Sequence, residues 1–110
     1  MKETLCYELY EIINDTNMVR LSVKNMETGE KQNVDDYIVS FNYKNDISYL
    51  NLCKSNVKHC YDEQGNFLNL EFEDIIDLEI ADNEIKEVEI SKYRVMIKTK
   101  LLTITLTEKI

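Results

Sequence analysis

The side chains that could form a nucleophile or a soft metal ligand are few: one histidine, His59, and three cysteines, Cys6, Cys53 and Cys60, in 110 residues. A Cys/His nucleophile pair would use His59 with Cys53 or Cys60. Adjacent residues of a strand point to opposite faces, so His59 and Cys60 can share a pocket only if their segment is a loop. Structural zinc asks for four ligands, usually in CxxC-type pairs. Cys53 and Cys60 are seven apart, with His59 the one other soft ligand near them. Glycine occurs only at positions 29 and 65, which excludes a phosphate-binding Walker loop and a dinucleotide fingerprint. Asp62–Glu71 starts like a calcium loop, but Phe67 occupies the position that needs glycine. Carboxylates are numerous enough for a hydrolytic dyad. A catalytic carboxyl must be partly desolvated to raise its pKa, however, and these acids fall on the polar side of apolar/polar alternations. The expectation is a non-enzymatic protein without cofactor or metal.

Charge is the distinctive feature. The formal net charge is −8, and between Glu71 and Glu89 nine acids stand against one base, Lys86. Alternation predicts outward pairs at Glu71 and Glu73, Asp77 and Glu79, and Glu87 and Glu89. Unpaired, such a strip repels itself. Lys92, Arg94, Lys98 and Lys100 follow with no acid between them, and pairing of that strand beside an acidic one would neutralise part of the strip. Direct nucleic-acid binding and an anionic membrane surface are both disfavoured, since each needs clustered cations.

The elements that must position these groups read as strands. Apolar residues alternate in five runs: Leu68, Leu70, Phe72; Ile76, Leu78, Ile80; Val88, Ile90; Tyr93, Val95, Ile97; and Leu102, Ile104, Leu106. Period two is the pattern of half-buried antiparallel strands. Parity changes at Ser91-Lys92 and again at Lys100-Leu101, which predicts a turn at each. Upstream, Tyr37, Val39, Phe41 and Tyr43 share a face, and a strand covers Val57–Tyr61. Thr4–Ile13 fits two patterns. Leu5, Tyr7 and Leu9 alternate, while Leu5, Leu9, Ile12 and Ile13 suit one helical face; the turn cluster Asn14–Asn17 and the alternation of Val19, Leu21 and Val23 favour a β-hairpin.

With two glycines, no proline and eleven asparagines, Asn and Asp must supply most turn conformations. Turns are expected at Glu27–Glu30 around Gly29, at Asn45-Asp46, and at Asp62–Asn66, which closes a hairpin. The expected fold class is all-β: one domain of eight to ten short antiparallel strands, as a barrel or two-sheet sandwich, becoming α+β if residues 4–13 are helical. The first residues carry Glu3, Glu8 and Glu11 without an apolar core, so no signal peptide is expected, and no run reaches the roughly 18 apolar residues of a membrane span. Free thiols then point to a cytoplasmic, reducing setting.

Two function classes follow. The first is a binding or inhibitor protein that presents Glu71, Glu73, Asp77, Glu79, Glu87 and Glu89 to the basic, nucleic-acid-binding groove of a partner protein. Phage counter-defence proteins of the CRISPR-inhibitor kind and toxin-immunity proteins have this form, by analogy of class. The second is a small-ligand-binding barrel lined by Tyr37, Tyr43, Tyr49 and Tyr61. An assembly subunit whose exposed strand edges pair between copies is a third possibility.

Overall fold

The structure, a computed structural model, describes residues 4–16 and 18–108; Glu3 and Asn17, which entered the sequence-based expectations, lie outside them. The chain begins with helix α1 (Leu5–Asp15) and continues as eight strands: β1 (Arg20–Asn25), β2 (Lys31–Asp35), β3 (Ile38–Lys44), β4 (Ile47–Tyr61), β5 (Phe67–Ala81), β6 (Glu87–Ile90), β7 (Arg94–Lys98) and β8 (Leu102–Thr107). They form two antiparallel sheets, one ordered β2-β1-β8-β7-β6 and the other β3-β4-β5. Eight antiparallel strands in two packed sheets match the expected β domain of eight to ten strands in its sandwich form, and the helix at Leu5–Asp15 gives the α+β variant expected if residues 4–13 were helical.

Thr4–Ile13 is the correction. It forms α1 rather than the first arm of a hairpin, and β1 pairs instead with β2 and β8. The reason lies in burial and capping. Cys6, Leu9 and Ile13 turn one helical face into the core, which a strand of this sequence would divide between two faces. The Thr4 hydroxyl accepts from the Tyr7 N–H at 3.3 Å, and the Asp82 carboxylate accepts from the Cys6 N–H at 3.0 Å. Both satisfy first-turn donors that a helix leaves open, and the carboxylate also meets the positive end of the helix. Thr4→Ala is expected to cost about 1 kcal/mol, lowering the melting temperature by about 4 °C in a thermal scan.

The core is a single cluster. Leu21, Val23, Val34, Val95, Ile97, Ile104 and Leu106 come from the five-stranded sheet, Leu50, Leu52, Ile76 and Ile80 from the three-stranded one, and α1 adds its buried face. The α1 rings Tyr7 and Tyr10 pack on Phe41 of β3, at 5.3 and 6.3 Å between centroids. Turns follow the expected chemistry. Asn45 and Asp46 both take positive φ (53° and 62°) and join β3 to β4 in two residues. Gly29 (φ 76°) closes β1–β2, and backbone bonds close the turns at Ser91–Arg94 and Thr99–Leu102.

One part of the molecule stands outside this body. The radius of gyration is 16.5 Å and the extents are 54 × 32 × 29 Å, where a compact chain of this length has a radius of roughly 13 Å. Accessible surface tells the same story: 7615 Å² against roughly 6,300 Å² expected for a compact monomer of this mass.

Candidate functional site

The extra surface belongs to a projecting arm. β4 and β5 are each 15 residues long and pair from Tyr49 and Ala81 out to Tyr61 and Phe67, but β3 covers β4 only as far as Cys53. Beyond that point Ser55–Tyr61 and the segment 67–74 run on as a two-stranded ribbon, roughly 23 Å long at the usual rise per residue.

Two β-bulges shape it. At the root, Lys54 pairs with Ile76 and Ser55 with Asp74, so Ile75 is the extra residue. Near the tip, Cys60 pairs with Asn69 and Tyr61 with Phe67, so Leu68 is extra. The root is tied to the five-stranded sheet: Gln32 of β2 donates to the Ile75 carbonyl at 3.0 Å, and Lys54 donates to the Asp35 carbonyl. At the tip, the Asp62 carboxylate accepts from the N–H groups of Asn66 (2.8 Å) and Gln64 (2.9 Å), while Gly65 supplies the positive φ of 83°. Those donors, Asn66 first, hold the Asp62 carboxyl below the ordinary carboxylate range.

Because directly paired residues of antiparallel strands share a face, the register sorts the arm into two sides. One side carries Val57 with Phe72, His59 with Leu70, and Tyr61 with Phe67, joined by the bulged Leu68. His59 and Tyr61 both lie near the Phe67 ring, at 6.3 and 6.1 Å. The reverse carries Asn56 with Glu73, Lys58 with Glu71, and Cys60 with Asn69. The ribbon is therefore amphipathic, and its apolar side faces water. Val57, Tyr61, Phe67, Leu68, Leu70 and Phe72 are 42–68% exposed. The expectation that Leu68, Leu70 and Phe72 belong to a half-buried strand is thus corrected: they are 61%, 42% and 68% exposed, and none of the described residues packs over them. They share one continuous strand with Ile76, Leu78 and Ile80, and the Ile75 bulge turns the first run to the outer side of the sheet while the second faces the core.

The same bulge separates the six acids. Glu71 and Glu73 lie on the reverse of the arm; Asp77 and Glu79 lie on the opposite, outer side of the three-stranded sheet, with Asn51 donating to Asp77 at 3.1 Å. Lys44 pairs with Glu79 at 3.4 Å. Glu87 and Glu89 sit on β6 in the other sheet, paired with Lys98 at 3.7 Å and Arg94 at 3.9 Å. The structure brings these acids together two by two, on three surfaces, and among the described residues three of the six form ion pairs with cations of the same chain.

Nor do the tyrosines converge. Tyr37 donates to the Met18 carbonyl, Tyr43 and Tyr49 occupy opposite faces of the β3–β4 pair, and Tyr61 stands at the arm tip. His59 and Cys60 lie on opposite sides of the ribbon. Partial burial and the nearby Glu71 carboxylate push the Cys60 thiol up, and burial, then Asp82, pushes the Cys6 thiol up to about 12. Both thiols are thereby poorer nucleophiles. A polar depression on the outer face of the five-stranded sheet is lined by Arg20, Lys31, Thr105 and Thr107, with Arg20 engaged by Asp35 at 3.2 Å. Among the described residues, no group of three or more His, Cys, Asp or Glu side chains is placed to hold a metal ion, and no helix is long and apolar enough to cross a membrane.

The amphipathic arm is what sequence reasoning missed. Its trace is the pair of adjacent apolar doublets, Phe67-Leu68 and Ile75-Ile76, each breaking the alternation where a bulge lies. No protein-family model, no curated protein and no solved structure matches the chain.

Proposed function

We propose that this chain is a non-enzymatic binding protein that engages another protein through the β4–β5 arm. The observation that carries this reading is the apolar side of a ribbon, interrupted by His59, whose six large hydrophobic side chains face water. Burying one such side chain contributes about 1.5–3 kcal/mol, and a domain of this size is stable by only about 5–15 kcal/mol. Six of them left on solvent are a large reserve for association. Exposed patches of this extent mark interaction sites.

A photocrosslinking side chain at Phe72 is expected to join the arm to a bound protein in the native host, while the same group at Ser22, on the outer face of the five-stranded sheet, yields none. Adducts from Ser22 with none from Phe72 would remove the arm from the function.

A second reading has the partner basic and the setting cytoplasmic, as for a counter-defence protein of a phage or a toxin-immunity protein. Glu71 and Glu73 on the reverse of the arm, with Asp77 near its root, favour it. Glu79, Glu87 and Glu89 are committed internally and contribute little. Charge reversal at Glu71 and Glu73, together with added salt, weakens the complex in this case and leaves it intact if the apolar side alone binds.

A further inference from the structure

We propose that the occupant of the apolar side of the arm is a second copy of this chain, two arms stacking face to face about a two-fold axis that passes near the His59–Leu70 pair. This inference rests on the arm being the binding surface and adds the identity of what covers it.

Area is the first support. Three aromatic rings at 56–68% exposure present roughly 300–400 Å². With Val57, Leu68 and Leu70 the side offers on the order of 600 Å², the upper end of what a monomer leaves in one patch. Two such sides meeting would bury roughly 1,200 Å², the lower bound of a specific interface. The same contact would cover about half of the roughly 1,300 Å² by which each chain's surface, 7615 Å², exceeds that of a compact monomer.

Charge is the second. The apolar side holds no carboxylate, lysine or arginine from Val57 to Tyr61 or from Phe67 to Phe72; Glu71, Glu73 and Lys58 are all on the reverse. Its limit is Asp74 at the root, held by the Ser55 hydroxyl at 2.6 Å. A chain with a net charge of −8 can therefore meet its own copy across these pairs without apposed carboxylates, and acids approach only at the two margins, where Asp62 and Glu63 of one tip come near Asp74 of the other root. The same charge selects the orientation. Arms stacked antiparallel place the two bodies at opposite ends of a ribbon roughly 23 Å long, beyond the Debye length of about 8 Å at physiological salt. Parallel arms would set the acidic bodies side by side. Self-complementarity across a two-fold axis needs only one patch per chain, and this one pairs with itself: Phe72 and Val57 of one copy meet Tyr61 and Phe67 of the other.

The test is sedimentation velocity on the purified chain, with thermal unfolding as the check on folding. Wild type is expected to sediment as a dimer at micromolar concentration, in low and high salt alike. Leu70→Asp and Phe72→Asp each reduce it to a monomer, while Glu71→Lys on the reverse leaves the dimer. Because Leu70 and Phe72 lie outside the buried core, the variants keep a cooperative unfolding transition. A wild-type chain that stays monomeric overturns self-association; if crosslinking at Phe72 then captures a different protein, the arm remains the binding surface. A dimer that survives both aspartates is held elsewhere, by edge pairing along β5 for example, and overturns this inference. If crosslinking at Phe72 also yields nothing, the arm reading falls with it.

Discussion

Leu50→Ala is expected to cost about 3–5 kcal/mol of folding stability, and Leu70→Ala less than about 0.5 kcal/mol, although both leucines sit in alternating apolar stretches of one hairpin. Leu50 is fully buried, facing the core between sheets beside Leu52 and Ile80. Removing its isobutyl group leaves a cavity that close-packed neighbours cannot fill. Leu70 is on the arm, 42% exposed, and its truncation opens no cavity. The comparison belongs in the Phe72→Asp background, where association adds nothing to apparent stability. Denaturant unfolding gives both numbers. Equal costs would mean that the arm folds back onto the body, and the apolar side would then be part of the core.

The second large effect is alkaline. Burial, reinforced by the Asp82 carboxylate, moves the Cys6 thiol from its ordinary 9.0 to about 12, and burial also raises the Tyr37 phenol. Both groups hold their protons more tightly folded than unfolded. Below about pH 8 neither state has lost the Cys6 proton to any extent and this group leaves stability unaffected. Between 9 and about 12 the unfolded chain releases it and the folded chain does not, so stability falls as pH rises, by about 1.4 kcal/mol per pH unit for a single such group. The melting temperature is expected to stay level to pH 8 and to drop steeply from pH 9 to 11, less steeply in Cys6→Ala. A level profile to pH 11 would contradict the buried thiol. Iodoacetamide at pH 8 should reach half-buried Cys53 and spare Cys6 until the chain unfolds.

How much of this was legible beforehand depends on what each signal reports. Most turns were readable from residue type, because positive φ has few suppliers: Gly29, Gly65, Asn45 and Asp46 all serve it, while Asp36, also at positive φ (59°) between β2 and β3, gave no such signal. Parity changes at Ser91-Lys92 and Lys100-Leu101 located turns, since alternation is a local property of the backbone. Alternation says which side chains share a face and nothing about what covers that face. Leu68, Leu70 and Phe72 therefore looked the same as Leu102, Ile104 and Leu106, yet the first three are exposed while Ile104 and Leu106 are fully buried. The acidic strip failed for a related reason. Counting along the chain presumed one parity from Glu71 to Glu89, and the Ile75 bulge changes it midway. In Thr4–Ile13 two periods fitted, and part of what favours the helix, the Asp82 carboxylate on the Cys6 N–H, lies far away in sequence.

The order of strands in the larger sheet has a consequence for how the molecule is made. Its middle strand, β8, pairs Arg20 with Thr107 and Leu21 with Leu106, across nearly the whole chain. During synthesis β1 and β2 emerge early and wait as a lone hairpin, a unit barely stable in water. β3, β4 and β5 are sequential neighbours and can pair while the ribosome is still adding β6 to β8. The sandwich closes only when β8 slots between β1 and β7, an end-to-end encounter with a heavy loop-closure cost. Until that moment the inner surface of β4 and β5 lies open beside the arm, and a newborn chain exposes both sticky surfaces at once.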